Sequence, residues 1–337
     1  MAPFSALDQS HIWSVSHVEA PERISSAWID EQLADTYERC GVRPGLLSGV
    51  AGIEARRWWA ADTTFDEAAA LAGARAIEAA GIAPDEVDLL ISTSVSKHHL
   101  EPSVACAVHY RLGLPATCTN YDLGNACLGF VNAMTIAAMA IATGQARVVL
   151  IVDGEGSRQV QTETIERLQS RDTTVTDVFE QFASLTIGSG AAAMVMGAPR
   201  EGGHRFVGAV TRAATKHHEL CVGDLTSMRT DTAALLESGL ELAEQTFASA
   251  LDAGWEWRNC DRYVLHQVSK VHTTKLCELL GIDQSLVPLS YPEFGNIGPA
   301  ALPYTLSTIS DELVADDRVL LMGIGSGLNC SMAELVW

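Results

Sequence analysis

The chain has 337 residues and 47% of them are hydrophobic, which is enough to bury a large core and to form two domains or two fused halves. Its formal charge of −20, from 42 acidic and 22 basic residues, argues against nucleic acid and anionic lipid surfaces as partners. The eight cysteines include no CxxC pair and no zinc-type Cys/His cluster, so we expect no metal site and, for the seven cysteines other than Cys127, mostly buried, reduced thiols in a cytoplasmic protein.

The first half of the sequence predicts alternating helices and strands, the pattern of α/β layering. Its opening residues lack the basic and apolar regions of a signal peptide. The predicted elements are a helix over 66–80, a buried strand over 87–95, a strand over 117–123, a helix over 126–143, a strand over 147–154, a helix over 160–170 and a glycine-bent strand pair over 185–197. The most apolar helical stretch, 133–142, is half of the roughly 20 residues that a membrane span requires, so we expect no integral membrane contact.

The segment Ala198–His204 is the best candidate for a boundary, because it combines a proline, two adjacent glycines and charge. A similar series follows it. The predicted elements are a strand over 206–215, a helix over 231–253, a strand over 262–268, helices over 269–280 and 299–313, and two closing strands over 319–327 and 329–337. We therefore expect a duplicated α/β unit with one half in residues 1–199 and the other in residues 200–337.

Cys127 is the first candidate for chemistry. It lies where the predicted strand ending in DLGNAC meets a helix of small residues. The exposed N–H groups and the dipole of a helix N-terminus favour a thiolate and can also stabilise an oxyanion. A thiolate is the competent nucleophile toward a thioester. The alternative is a buried structural cysteine, and this segment alone does not decide between the two.

His266 and Asn296 are the next candidates. His266 ends an apolar strand in YVLHQVS, and Asn296 lies in a glycine-flanked turn before a helix in FGNIGPAALP. Alone, the histidine could be a satisfied core residue and the asparagine a turn residue. Together with a nucleophilic cysteine they supply the neutral N–H donors that hold the carbonyl or enolate oxygen of a second substrate.

Cysteine, histidine and asparagine in this order resemble the site of ketoacyl synthase III enzymes of the thiolase superfamily, over nearly the whole chain. The sequence is most similar to the OleA branch, which condenses two long-chain acyl-CoA molecules. The segments that carry this similarity are HVEAPERISS, VAGIEARRWW, STSVSKHHLEPS, GNACLGFVNAM, FGNIGPAALP and GIGSGLNCSMAELVW. The resemblance implies a thiolase fold with five αβαβα layers, a homodimer, acyl-CoA substrates and no bound cofactor.

The resemblance also implies a role for Glu101 in HLEPS. In the OleA branch a glutamate reaches into the active site of the partner subunit, and Glu101 matches its position. A substrate without a carboxylate to lose needs such a base to remove its α-proton. Without the resemblance, Glu101 would be interpreted as a solvated loop acid, since acidic side chains are mostly exposed.

GIGSG at 323–327 matches the glycine-rich strand end near the nucleophile in this family. Glycine there, Gly325 included, lets the backbone approach a ligand, and the N–H of Ser326 is a candidate for the first oxyanion hole. The Ser326 side chain is a candidate support for the asparagine or histidine. Candidate contacts for CoA phosphates are Arg56, Arg57, Arg212, Lys216 and Lys270.

One departure from the ketoacyl synthase III pattern bears on the reaction. Those enzymes carry Asn and Arg after the HQ dipeptide, whereas this chain has Ser269 and Lys270. The difference weakens a malonyl-dependent interpretation and suits CoA substrates. We expect a non-decarboxylative Claisen condensation to a β-keto acid or its thioester, feeding downstream enzymes of olefin, ketone or β-lactone synthesis. The alternatives are a decarboxylating 3-oxoacyl synthase or acyltransferase on this scaffold, and a non-catalytic subunit that shapes a partner's tunnel.

Overall fold

The computed structural model describes residues 9–337. Its strands are β1 (His11–Glu19), β2 (Glu22–Ser25), β3 (Ala55–Trp58), β4 (Leu89–Ser92), β5 (Thr119–Asp122), β6 (Val148–Glu155), β7 (Gly190–Gly197), β8 (His204–Ala213), β9 (Cys221–Gly223), β10 (Met228–Thr230), β11 (Arg262–Leu265), β12 (Arg318–Gly325) and β13 (Asn329–Val336). Its α-helices are α1 (Ser26–Gln32), α2 (Ala34–Cys40), α3 (Leu46–Gly49), α4 (Phe65–Ala80), α5 (Val104–Leu112), α6 (Gly129–Ala142), α7 (Arg158–Leu168), α8 (Val175–Glu180), α9 (Thr232–Asp252), α10 (Lys270–Leu280), α11 (Tyr291–Phe294) and α12 (Ala301–Ile309).

Nine strands form one sheet in the order β11-β12-β13-β8-β1-β7-β6-β4-β5. Strand β1 joins the two halves of this sheet. It pairs antiparallel with β7 along nearly its whole length, but with β8 only through His11 and Ile12. The first half contains β5, β4, β6, β7 and β1, and the second contains β8, β13, β12 and β11. The sheet is therefore two smaller sheets connected by a short pairing.

Three layers of helices cover these two half-sheets. Strand β6 shows this in its side chains: Val149 and Ile151 pack in the cluster that contains α6 and α12, whereas Leu150 and Val152 pack in the cluster that contains α4. On the far side, α9 and α10 pack on β12 and β13. Both faces of each half-sheet are thus buried, as parallel sheets in α/β proteins require. The resulting order of helix, sheet, helix, sheet and helix confirms the predicted five-layered αβαβα arrangement.

Most of the predicted elements exist, with shifted ends. The helix predicted over 66–80 is α4, capped by the Thr64 side chain, which accepts a hydrogen bond from the Glu67 N–H. The strand pair predicted over 185–197 is wrong, because only β7 forms there. Glycine is required at position 188 for a different reason, because a Cβ there would collide with the carbonyl oxygen of Phe294. Glycine at this position lets two backbones approach each other rather than turn a hairpin.

No helix among residues 9–337 is long and apolar enough to cross a bilayer. Over the same residues, no three or more His, Cys, Asp or Glu side chains are grouped closely enough to hold a metal ion.

Candidate active site

Cys127 lies in a tight elbow between β5 and α6. Ala126, just before it, has φ of +44°, a left-handed conformation that is costly for a residue with a Cβ. The elbow closes with hydrogen bonds from the Leu128 N–H to the Asn125 carbonyl oxygen (3.0 Å) and from the Gly129 N–H to the Ala126 carbonyl oxygen (3.1 Å). Helix α6 begins at Gly129 rather than at Ala126. The cysteine therefore precedes the first helical turn, held there by a strained residue.

The C-terminal half of the chain contacts this elbow through the hairpin of β12 and β13. A Cβ built on Gly325 would stand 3.4 Å from the Cys127 backbone nitrogen and 3.2 Å from that of Leu128. The Asn329 side chain donates to the Asn125 side-chain oxygen at 3.4 Å. Ser326 follows Gly325, but among the described residues its side chain makes no hydrogen bond to His266 or Asn296. The support by the Ser326 hydroxyl therefore stays a prediction.

His266 directly follows β11, the strand that pairs with β12. Its backbone N–H donates to the Met322 carbonyl oxygen of β12 at 2.9 Å. The imidazole is buried, and its Nδ1 atom has no hydrogen-bond partner within the part of the chain that the structure describes. Burial, aided by the nearby His272, lowers the pKa of His266 to about 3. The ring is therefore neutral near pH 7, the form that offers one N–H donor and one bare nitrogen.

Asn296 is fixed by its backbone and by one side-chain atom. Its N–H donates to the Thr186 carbonyl oxygen (3.0 Å), and its own carbonyl oxygen accepts from the Gly188 N–H (2.9 Å). The Asn296 Oδ1 atom accepts from the Gly298 N–H at 3.0 Å. This bond sets the orientation of the amide and leaves its Nδ2 group, which is a donor, without a partner among the described residues.

Gln267 connects His266 with the segment that leads to Asn296. The side chain is buried, and its Nε2 group donates to the carbonyl oxygens of Leu265 (2.8 Å) and Pro288 (3.2 Å). Its Oε1 atom accepts from the backbone N–H groups of Ser290 (2.8 Å) and Tyr291 (3.3 Å). Sequence reasoning used the HQ dipeptide but gave a role only to the histidine. The glutamine fixes the two neighbouring loops relative to each other.

Burial opposes ionisation of the Cys127 thiol, whereas the sequence predicted a thiolate favoured by the helix end. Although the residue is only partly buried, loss of hydration around its sulfur raises the pKa of Cys127 to about 12, and the negative charge of Glu155 adds to this effect. Its own backbone N–H acts in the opposite direction but is weaker.

Sequence reasoning missed a pair of buried acids, Asp153 and Glu155, at the end of β6. Burial raises the pKa of both, to about 7 for Glu155. The charge of Glu155 raises the pKa of Asp153 further, whereas a hydrogen bond from Asp153 lowers the pKa of Glu155. Asp153 is hydrogen-bonded by the Thr93 hydroxyl. The available signal was VDGE, two acids at alternate positions of an otherwise apolar strand, because charged side chains are rarely buried without a reason.

Within one chain, Glu101 lies apart from Cys127, His266 and Asn296. Its side chain is exposed and has no hydrogen-bond or ion-pair partner among residues 9–337. The preceding Leu100 is also exposed over its entire surface, at 101% of the reference value. One subunit therefore does not bring Glu101 into contact with its own Cys127.

The predicted CoA contacts divide into two groups. Arg56 is a correction: it is 0% exposed and donates to the Ser26 hydroxyl (3.0 Å) and the Leu185 carbonyl oxygen (2.9 Å), so it cannot reach a bound phosphate. Arg57 is mostly buried, in an ion pair with Glu19 at 2.9 Å and over the Phe294 ring. Arg212 and Lys270 are exposed. Lys216 lines an open cavity of about 340 Å³.

Comparisons with known proteins agree with this geometry. Residues 53–202 match the family described as thiolase, N-terminal domain, and residues 251–337 match the C-terminal domain of 3-oxoacyl-[acyl-carrier-protein (ACP)] synthase III. An acyl-CoA:acyl-CoA alkyltransferase of Xanthomonas campestris is 44% identical over 97% of this chain and 98% of its own length. The Shewanella oneidensis enzyme of the same name is 31% identical over 96% and 97%.

Solved structures extend the likeness to three dimensions. A Cys-to-Ser variant of Xanthomonas campestris OleA with bound lauric acid and lauroyl-CoA superposes with a TM-score of 0.96 at 42% identity, over 98% of this chain and 100% of that one. The cerulenin-bound enzyme gives 0.97 at the same identity, over 99% and 100%. The fold and site define a thiolase-superfamily acyltransferase. Within that class, the chain belongs to the acyl-CoA:acyl-CoA alkyltransferase family. Its solved structures include those of OleA from Xanthomonas campestris.

Proposed function

We propose that this protein joins two long-chain acyl-CoA molecules by a non-decarboxylative Claisen condensation. The observation that carries the proposal is the convergence of two half-sheets on one elbow, with Gly325 of β12 against the Cys127 backbone and His266 at the end of the adjacent β11. The product is a 2-alkyl-3-oxoacyl thioester, and its hydrolysis gives the β-keto acid. This acid is the starting compound for olefin, ketone or β-lactone synthesis by downstream enzymes.

In the first half-reaction the Cys127 sulfur attacks the carbonyl carbon of one acyl-CoA. The thiol proton leaves, the bond from carbon to the CoA sulfur breaks, and CoA departs as its thiol while the acyl group stays on Cys127. The Cys127 N–H, together with the N–H of Ser326, stabilises the oxyanion that forms during this exchange. Gly325 serves this step by leaving room between the strand end and the elbow.

In the second half-reaction another acyl-CoA enters with its carbonyl oxygen toward His266 and Asn296. Neutral imidazole and amide N–H donors stabilise the enolate without protonating it. A base removes the α-proton, the carbanion attacks the Cys127 thioester, and the Cys127 sulfur leaves. The buried neutral state of His266 and the occupied Oδ1 atom of Asn296 support these two donor roles.

Glu101 of the other subunit in a homodimer is the base that we propose for this step. The exposed position of Leu100 and Glu101, without partners among residues 9–337, supports a segment that inserts into a second copy. Solved variants of the Xanthomonas campestris enzyme replace a glutamate and a cysteine separated by the same number of residues as Glu101 and Cys127. Arg212, Lys216 and Lys270 remain our candidates for the CoA phosphates. The eight free cysteines support a reducing, cytoplasmic compartment.

Incubation with lauroyl-CoA alone tests the reaction. We expect release of CoA and, by mass spectrometry, a β-keto acid or its ketone built from two acyl chains. A decarboxylating 3-oxoacyl synthase is the second candidate, favoured by the C-terminal family match. Product that forms only after addition of malonyl-CoA or a malonyl carrier protein would replace our proposal by that one. Undiminished turnover after Cys127→Ala would favour a non-catalytic subunit.

A further inference from the structure

The segment that carries Glu101 is held at both of its ends by acids whose roles in the reaction are unassigned. At its start, Glu155 accepts hydrogen bonds from the Val95 N–H (2.6 Å), the Ser96 N–H (3.2 Å) and the Ser96 hydroxyl (2.6 Å). Glu155 lies in the core at the end of β6, so these contacts attach the segment to the most buried part of the first half-sheet.

Asp122 holds the end of the segment and also contacts its start through Lys97. It pairs with the Lys97 ammonium at 2.7 Å and accepts from the backbone N–H groups of Val104 (3.1 Å) and Ala105 (2.9 Å), the first residues of α5. An acid at a helix N-terminus is favoured by the helix dipole. Between the two anchors, His98 stacks on the Phe65 ring at 4.2 Å. Leu100 and Glu101 are the part of the segment that no described side chain holds.

We propose that Glu155 and Asp122 are positioning residues that hold the segment 97–103 at both ends and so present Glu101 to the active site of the partner subunit. This inference rests on the proposed function, since it requires that Glu101 acts across the dimer. The physical reason is that a base must lie within hydrogen-bond reach of the α-proton, and a displacement of 1 Å is enough to slow such a step greatly.

A competing role must be separated from this one. Glu155 also acts electrostatically on the thiol of its own Cys127, and a Cβ on Gly298, near Asn296, would stand 3.5 Å from the Glu155 carboxyl carbon. If the main role of Glu155 were to act on Cys127 and on the turn at Gly298, it would serve the active site of its own chain. If the three hydrogen bonds to Val95 and Ser96 matter most, it serves the active site of the partner.

Hybrid dimers distinguish the two roles. One subunit carries Cys127→Ala and keeps Glu101, and the other carries Glu101→Gln and keeps Cys127; two affinity tags isolate the hybrid, which has one complete site. Glu155→Gln is then placed in either subunit. We expect condensation of lauroyl-CoA to fall about tenfold or more when the change is in the Glu101 donor, and to stay within about twofold when it is in the subunit with Cys127.

Asp122→Asn should show the same asymmetry. The matched control is Asp88→Asn in the Glu101 donor. Like Asp122, Asp88 accepts hydrogen bonds from two backbone N–H groups, those of Arg147 and Val148, and from a basic side chain, that of Arg147. It differs in that it precedes β4, whereas the segment with Glu101 follows β4. We expect this control to leave condensation within about twofold, because it leaves the segment anchored at both ends. In every hybrid whose Glu101 donor carries the change, acylation of the intact Cys127 by lauroyl-CoA should proceed at the unmodified rate, because the subunit with Cys127 is unaltered.

Equal losses in the two placements, or a loss only in the subunit with Cys127, would overturn the proposal. An inactive parent hybrid whose Cys127 is nevertheless acylated would instead contradict the role of Glu101 across the dimer, and so the proposed function. If Glu155→Gln does not fold, Ser96→Ala removes one donor to Glu155 and leaves the acid in place. It should give the same asymmetry with a smaller loss, and a symmetric loss would again overturn the proposal.

Discussion

Gly325 and Cys127 approach so closely that a Cβ on the glycine would stand 3.4 Å from the cysteine backbone nitrogen. We expect Gly325→Ala to push the elbow away and to slow acylation of Cys127 about tenfold or more, because the oxyanion donor at Cys127 shifts. Pre-steady-state release of CoA measures this rate. The control is Gly49→Ala, where a Cβ meets nothing within 4 Å. Equal rates in the two variants would show that the close approach does not matter to the chemistry.

The raised pKa of the Cys127 thiol predicts how it reacts with iodoacetamide. With a pKa of about 12, the thiolate fraction should increase steadily from pH 7 to pH 10 without a plateau. Alkylation of each cysteine, followed by peptide mass spectrometry, gives the rate, and the exposed Cys106 serves as an internal comparison in the same sample. A plateau for Cys127 near neutral pH would mean that the helix end ionises the thiol after all.

The two buried histidines predict the pH dependence of stability. His266 and His272 have lowered pKa values of about 3 and about 4, so between pH 6.5 and pH 4 the unfolded chain binds protons that the folded chain does not. Their contribution to stability is complete above pH 6.5 and is lost as the pH falls. Urea unfolding should show the loss, at about 1.4 kcal/mol per pH unit for each histidine. His272→Asn should reduce the slope by that amount, and an unchanged slope would contradict the buried neutral state.

Arg56 should matter for stability rather than for CoA. Arg56→Ala leaves the carbonyl oxygen of Leu185 and the Ser26 hydroxyl in the core without their partner, and we expect the free energy of unfolding to fall by about 3 kcal/mol. The exposed Arg212→Ala should change that free energy by less than about 0.5 kcal/mol. Denaturant unfolding of both variants measures the two changes in the free energy of unfolding. A stable Arg56→Ala protein with a raised KM for acyl-CoA would restore the sequence prediction.

The difference between sequence and structure at these residues has a physical origin. Helix α4 was predictable because its cap and its buried face are local in sequence, and Cys127, His266 and Asn296 were found through short motifs. Arg56 was misinterpreted because its burial depends on Ser26 and Leu185, which are distant in sequence.

Strand β1 is a second example of burial that depends on residues distant in sequence. It connects the two half-sheets, yet HIWSVSHVE mixes polar and apolar residues and has an irregular register at Ile12–Ser14. Its buried faces are set by β7 and β8, which follow far later in the chain. Glu155 was missed for a similar reason, since its partners Val95 and Ser96 lie 60 and 59 residues before it.

Intact-protein mass spectrometry of Glu101→Gln with lauroyl-CoA tests the central claim most directly. If Cys127 takes the first acyl group and Glu101 only makes the carbanion, the variant should carry one lauroyl group per subunit, on Cys127 by peptide mapping, and form no β-keto acid. The unmodified protein in the same experiment should form the product and carry little adduct. A variant without adduct on Cys127, or one that condenses as fast as the unmodified protein, would contradict the account.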